Sequence, residues 1–153
     1  MEKRQGLLIW SLASAGLMVV GAFGPWIKAL GSGVSGTDGA NDGWLVVGAA
    51  VVGAGVFALM RERHTAGLWT VLGGLAGAGV TIYDRQTVSS KIDELGEFQG
   101  LAQIGWGLNL AMVASISFGV AGLVWFSQMH ATPALGAEAT PGPPSEPTPA
   151  DLA

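Results

Sequence analysis

The chain has no cysteine, so disulfide staples and thiolate metal centres are both excluded, and nothing about redox compartment can be read from it. Charge is almost as scarce. Asp, Glu, Lys and Arg supply 12% of the 153 residues, about half the share usual in soluble domains, too few to coat a water-soluble globule of this size. No cluster of basic residues exceeds two or three, which leaves no electrostatic footprint for nucleic acid.

Charged residues and histidine are missing altogether from residues 5–27, 43–60, 65–83 and 100–129. Each stretch is long enough to cover a bilayer core, which takes about 20 apolar helical residues. The remaining charges fall between these stretches and in the tail, as punctuation between membrane spans. The expected fold is therefore all-α: a transmembrane four-helix bundle in residues 1–130, with spans at about 7–26, 44–60, 66–83 and 104–126. Trp26, Trp44, Tyr83, Trp106 and Trp125 fall near the span ends, with Trp10 and Trp69 towards the opposite rim, as an aromatic belt requires. Lys3 and Arg4 before an apolar run, with Ala13-Ser14-Ala15 following, suggest a signal peptide. The apolar sequence runs on to Trp26, too far for such a signal, and is read as an uncleaved span.

With both termini cytoplasmic, Lys3, Arg4, Arg61 and Arg63 lie inside and Lys28, Arg85 and Lys91 outside, a small bias in the sense of the positive-inside rule. The expected location is the cell membrane, with the lipid bilayer as the first partner.

Lipid tails are as apolar as leucine, so helices in a membrane associate through small residues and interhelical hydrogen bonds. Gly73 and Gly77 form a GxxxG, Gly74 and Ala78 repeat the spacing, and Ala111, Ser115 and Gly119 continue it on the fourth span. Asn109 is the most polar side chain expected within a span, and needs a partner on another helix. These residues are the candidate packing set, and Asn109 and Ser115, with Thr70 or Thr81, are also candidates to line a polar path.

Between the third and fourth spans, Val88, Ile92, Leu95 and Phe98 share one helical face, and Ser90 with Asp93 resembles a capping box. A short extracytoplasmic amphipathic helix is expected there, with that face open to a partner. The loop containing Asp38, Asn41 and Asp42 offers oxygen donors, but Ala40 and Ala49 occupy positions where an EF-hand needs ligands. The segment 131–153, rich in Pro and Ala, is expected to be a disordered tail.

Pro25-Trp26, Ser35-Gly36-Thr37-Asp38-Gly39, Asp42-Gly43, Tyr83-Asp84 and Gly105-Trp106-Gly107-Leu108 together resemble a pattern in small four-span integral membrane proteins of actinobacteria. In those proteins a Pro-Trp ends the first span, a Gly/Asp-rich outer loop follows, a Tyr-Asp closes the third span and a Gly-x-Gly-Leu opens the fourth. The likeness covers about residues 7–126. It implies a shared architecture; it implies no activity, and no functional residue carries over.

An enzyme is disfavoured, because His64 and His130 are separate and no Ser, His and acid set converges. No cofactor or metal is called for. A charge-moving transporter needs ionisable residues within its spans, and only Tyr83 at an edge qualifies. Two classes are left: a non-enzymatic accessory subunit or scaffold acting by helix association, with a membrane-protein partner or as a homo-oligomer, and a passive, holin-like pore.

Overall fold

The computed structural model describes residues 2–38, 42–60, 62–63, 65–94 and 101–131. Four helices dominate it: α1 (Glu2–Phe23), α2 (Asp42–Leu59), α3 (Ala66–Glu94) and α4 (Trp106–Ala131). All four are long and apolar enough to cross a membrane, as a multipass membrane protein requires. They run up and down in chain order, each packed on the next, with α4 closing on α1.

The all-α expectation is corrected by a small sheet. Strands β1 (Pro25–Ala29), β2 (Ser32–Ser35) and β3 (Ala102–Ile104) pair antiparallel in the order β2-β1-β3. Ile27 pairs with Val34 on one side and with Ile104 on the other, and Lys28 with Gly33 and Gln103. The first helix ends at Phe23 instead of continuing to Trp26, because Pro25 cannot donate an N–H to a helical ladder. Pro25 also opens the strand where the β1–β2 register slips. The hairpin turns at Leu30 and Gly31, both at positive φ (50° and 82°), the hand that suits the strand twist. Chain parity sets this sheet, the start of α2, the end of α3 and the start of α4 at one end of the bundle, where they form a cap. The α2–α3 hairpin lies at the other end.

The separate amphipathic helix is also corrected. Helix α3 runs unbroken for 29 residues, about 43 Å, so it outreaches a hydrocarbon core of about 30 Å. No Gly or Pro between Tyr83 and Glu94 stops it. Ser90 lies inside this helix and its hydroxyl donates to the Gln86 carbonyl (3.0 Å), so it caps nothing. Val88 is buried and Ile92 half-buried, while Leu95, Phe98 and the Pro-rich segment 132–153 lie outside the described residues.

The core is thin. Met18, Val46, Leu108 and Phe118 are its large side chains in the cap half, among many alanines, and Leu7, Phe57, Ala66 and Trp125 fill the hairpin half. Leucine, valine and isoleucine cover the outside, including Leu17, Val51, Leu72, Leu75, Val113 and Leu123, a surface suited to lipid and not to water. Trp26 and Trp125 belong to the core and not to an aromatic belt. Trp125 packs edge-on against Phe57 (4.9 Å between centroids), whereas Trp10, Trp44, Trp69, Tyr83 and Trp106 are exposed.

Backbones touch where α3 meets α4. A methyl group on Gly67 would stand 2.7 Å from the Gly122 carbonyl oxygen, and one on Gly74 2.5 Å from the Gly119 nitrogen. Gly73 faces α2 at the Ala49 carbonyl, and Gly77 faces Ser115 and Met18. Gly119 itself has room, its nearest neighbour 3.7 Å away, and Gly48, Gly55 and Gly79 face open space. Replacing Gly74 or Gly67 by Ala should therefore destabilise the bundle by about 1–3 kcal/mol. Gly119→Ala and Gly79→Ala should leave it unchanged or slightly firmer, as read by denaturant unfolding in micelles.

Candidate functional site: an acidic cavity in the cap

Trp26 organises the cap. Its side chain is buried, and its indole N–H donates to the Gly21 carbonyl (3.0 Å) at the end of α1. Its own carbonyl accepts from the Gly105 N–H (2.7 Å), which fixes the entry to α4. Gly36 lies flat against the indole, where any side chain would overlap the ring, and the Gly43 N–H then donates to the Gly36 carbonyl (2.8 Å), fixing the start of α2. The short motifs singled out along the sequence thus converge in one place.

Between β1, β2, the start of α2 and the outer part of α3 lies a cavity of about 430 Å³. Trp26, Ile27, Val34 and Val88 give it apolar walls, and Asp38, Asp42 and Asp84 give it carboxylates. Asp38 is engaged by the Ser35 hydroxyl, which donates to it (2.7 Å). Asp42 sits in the first turn of α2, where the helix dipole favours a negative charge. Asp84 is different. It is 8% exposed, its Oδ2 has no hydrogen-bond partner among the described residues, and its carboxyl faces that of Asp42. The neighbouring Arg85 does not neutralise it, because successive helical residues point about 100° apart and the Arg85 guanidinium donates to Asn109 instead (2.8 Å).

Asn109 is accordingly one turn into α4 at the cap end, and not deep in a span. Thr81 and Ser115 are fully buried, and each donates to the carbonyl four residues back (2.9 and 2.7 Å), a local bond that removes the polar group from view. Thr70 points the same way, towards the Ala66 carbonyl, with a longer contact of 3.5 Å. Between helices, Trp10 and Ser14 of α1 instead meet Ser117 of α4 (2.8 and 3.1 Å). Of the packing set, Gly73, Gly77, Ser115 and Gly119 lie at helix contacts within the bundle, and Asn109 has its partner on another helix, Arg85 of α3.

Asp84 had a signal in the sequence. Thr70, Gly73, Gly77, Thr81, Asp84 and Val88 recur at three and four residues and form the buried stripe of α3, so this aspartate falls on a buried face. The chain matches no protein-family model, no curated protein and no solved structure. Among the described residues, no group of three or more His, Cys, Asp or Glu is arranged to hold a metal ion.

Two outcomes are expected. Trp26→Ala should cost about 3–5 kcal/mol and loosen β1, seen as faster tryptic cleavage after Lys28. Asp84→Asn should instead raise stability at pH 8 by about 1–3 kcal/mol, because an amide can donate to Asp42 where a carboxylate can only repel it. Thermal unfolding of the purified protein reads this directly.

Proposed function

We propose that the chain is a non-enzymatic multipass protein of the cell membrane that acts by association, as an accessory subunit or scaffold, through its cap. Its kinship with the small actinobacterial membrane proteins belongs to the same proposal. The observation that carries it is Leu30. This residue is 80% exposed at the hairpin tip and stands at φ 50°, a left-handed conformation that costs a non-glycine residue about 1–2 kcal/mol. A strained leucine that gains no burial within its own chain has its use outside it, and Leu101 beside it is also exposed and accepts the Leu30 N–H (3.1 Å). Both termini of the described chain lie at the hairpin end with Arg63; with that end cytoplasmic, the cap faces outward.

A pore draws no support from the bundle. Its Thr70, Thr81 and Ser115 hydroxyls turn to their own backbones, Ser14 is engaged with Ser117, and the outer faces of its helices are aliphatic.

Cross-linking in native membranes, gentle solubilisation and mass identification test the proposal. A defined second protein should co-purify with the wild type and be lost with Leu30→Asn, a substitution that suits the positive φ and so preserves or raises the unfolding temperature. Recovery as a lone monomer, or capture that ignores Leu30, would contradict it. A homo-oligomer that makes liposomes leak would favour the pore.

A further inference from the structure

Asp84 remains without a use in docking through Leu30. It is a carboxylate more than nine-tenths buried, with one oxygen lacking any partner among the described residues, lining a cavity of about 430 Å³ and facing a second carboxylate, Asp42. A buried charge in this state is retained at a cost unless something of opposite charge meets it.

We propose that the cavity binds an organic ammonium ion, held between the carboxylates of Asp42 and Asp84 with its carbon portion against Trp26, Val34 and Val88. Among the described residues, the chain's own cations do not fill the role. Arg85 is engaged with Asn109. Lys91, also on the cavity lining and exposed, stands two helical turns beyond Asp84, about 10 Å along α3. One ammonium thus faces three carboxylates around the same space. The Thr87 hydroxyl donates its proton to the Tyr83 carbonyl (3.0 Å), so it has only acceptor capacity left for the cavity. The lining therefore offers oxygen acceptors and apolar walls together, the complement of an alkylammonium.

A bare divalent metal fits less well. Calcium takes six to eight oxygen ligands, while no group of three or more acidic or His ligands is arranged for a metal among the described residues. The cavity is also more than ten times the volume of about 30 Å³ that one water occupies, room for a headgroup or a side chain. The ammonium could come from a lipid headgroup or from a soluble amine, two sources of one chemistry. Binding of the amine is independent of whether the cap docks a partner protein through Leu30.

The test uses the full chain in phosphatidylglycerol nanodiscs, which contain no amine, titrated with butylammonium chloride at constant ionic strength and followed by saturation-transfer NMR. Saturable binding is expected, weakened about tenfold or more by Asp84→Asn and by Asp42→Asn, and unchanged by Glu62→Gln at the opposite end of the bundle. Thermal unfolding of each variant confirms that it is folded, and either aspartate variant suffices. Competition by added phosphatidylethanolamine would assign the ammonium to a lipid headgroup. Binding of lysine methyl ester without such competition would assign it to a soluble amine. The proposal is overturned if butylammonium does not bind saturably, if both aspartate variants bind as the wild type does, or if calcium displaces the amine at lower concentration than the amine itself requires.

Discussion

The close backbone contact of α3 with α4 is the constraint on which the rest of the structure depends. In lipid there is no hydrophobic drive to press helices together, so their approach is decided by how near the backbones can come. Gly67 against Gly122 and Gly74 against Gly119 bring the two helix backbones into contact along the bundle, and this fixes both the spacing and the axial register of the pair. Register in turn sets what happens at the cap end. It brings Arg85 to Asn109, and it fixes where Asp84 stands relative to the strands that follow α1.

The cap answers a second constraint. Backbone that is neither helix nor closed barrel is not tolerated facing lipid, and here the irregular chain is gathered beyond the helix ends and tied internally. Three strands pair their own backbone groups, and Trp26 fastens the result to α1 through Gly21 and to α4 through Gly105. Glycines at 36 and 43 let the incoming α2 lie against the indole. The outcome is a rigid wall on one side of a cavity whose other side is the extension of α3. Carboxylates that would be costly within the bilayer are concentrated here, while the Thr70, Thr81 and Ser115 hydroxyls inside the bundle turn to their own helices.

The four helices were legible because a charge-free run of spanning length belongs in a bilayer far more readily than in a soluble core, and their limits moved by only a few residues except in α3. The sheet was not legible. Pro25-Trp26-Ile27 continues the apolar run of the first span, strands of three to five residues leave little alternation to detect, and Leu-Gly at the turn lacks the Asn or Asp that usually marks a hairpin. The end of α3 is hidden because the charges after Tyr83 imitate a loop signal, although nothing in Asp84-Arg85-Gln86-Thr87 breaks a helix. Trp125 reads as a membrane-interface residue by its position alone. Its spacing from Phe118 and Ala121, seven and four residues along one helical face, marks it as core. Asn109 is expected deep in lipid for the same reason that the sheet is missed: β3 takes up the residues before Trp106 and shifts the start of the helix.

The absence of native cysteine gives the most direct test of four spans with one cap. Single cysteines placed at Lys28, Gln103 and Glu62 would be labelled in sealed vesicles with a maleimide that cannot cross the membrane. Lys28 and Gln103, paired across β1 and β3, should react from the same side, and Glu62 in the α2–α3 hairpin only from the other. Reaction of all three from one side, or of Lys28 and Gln103 from opposite sides, would contradict the bundle and its cap.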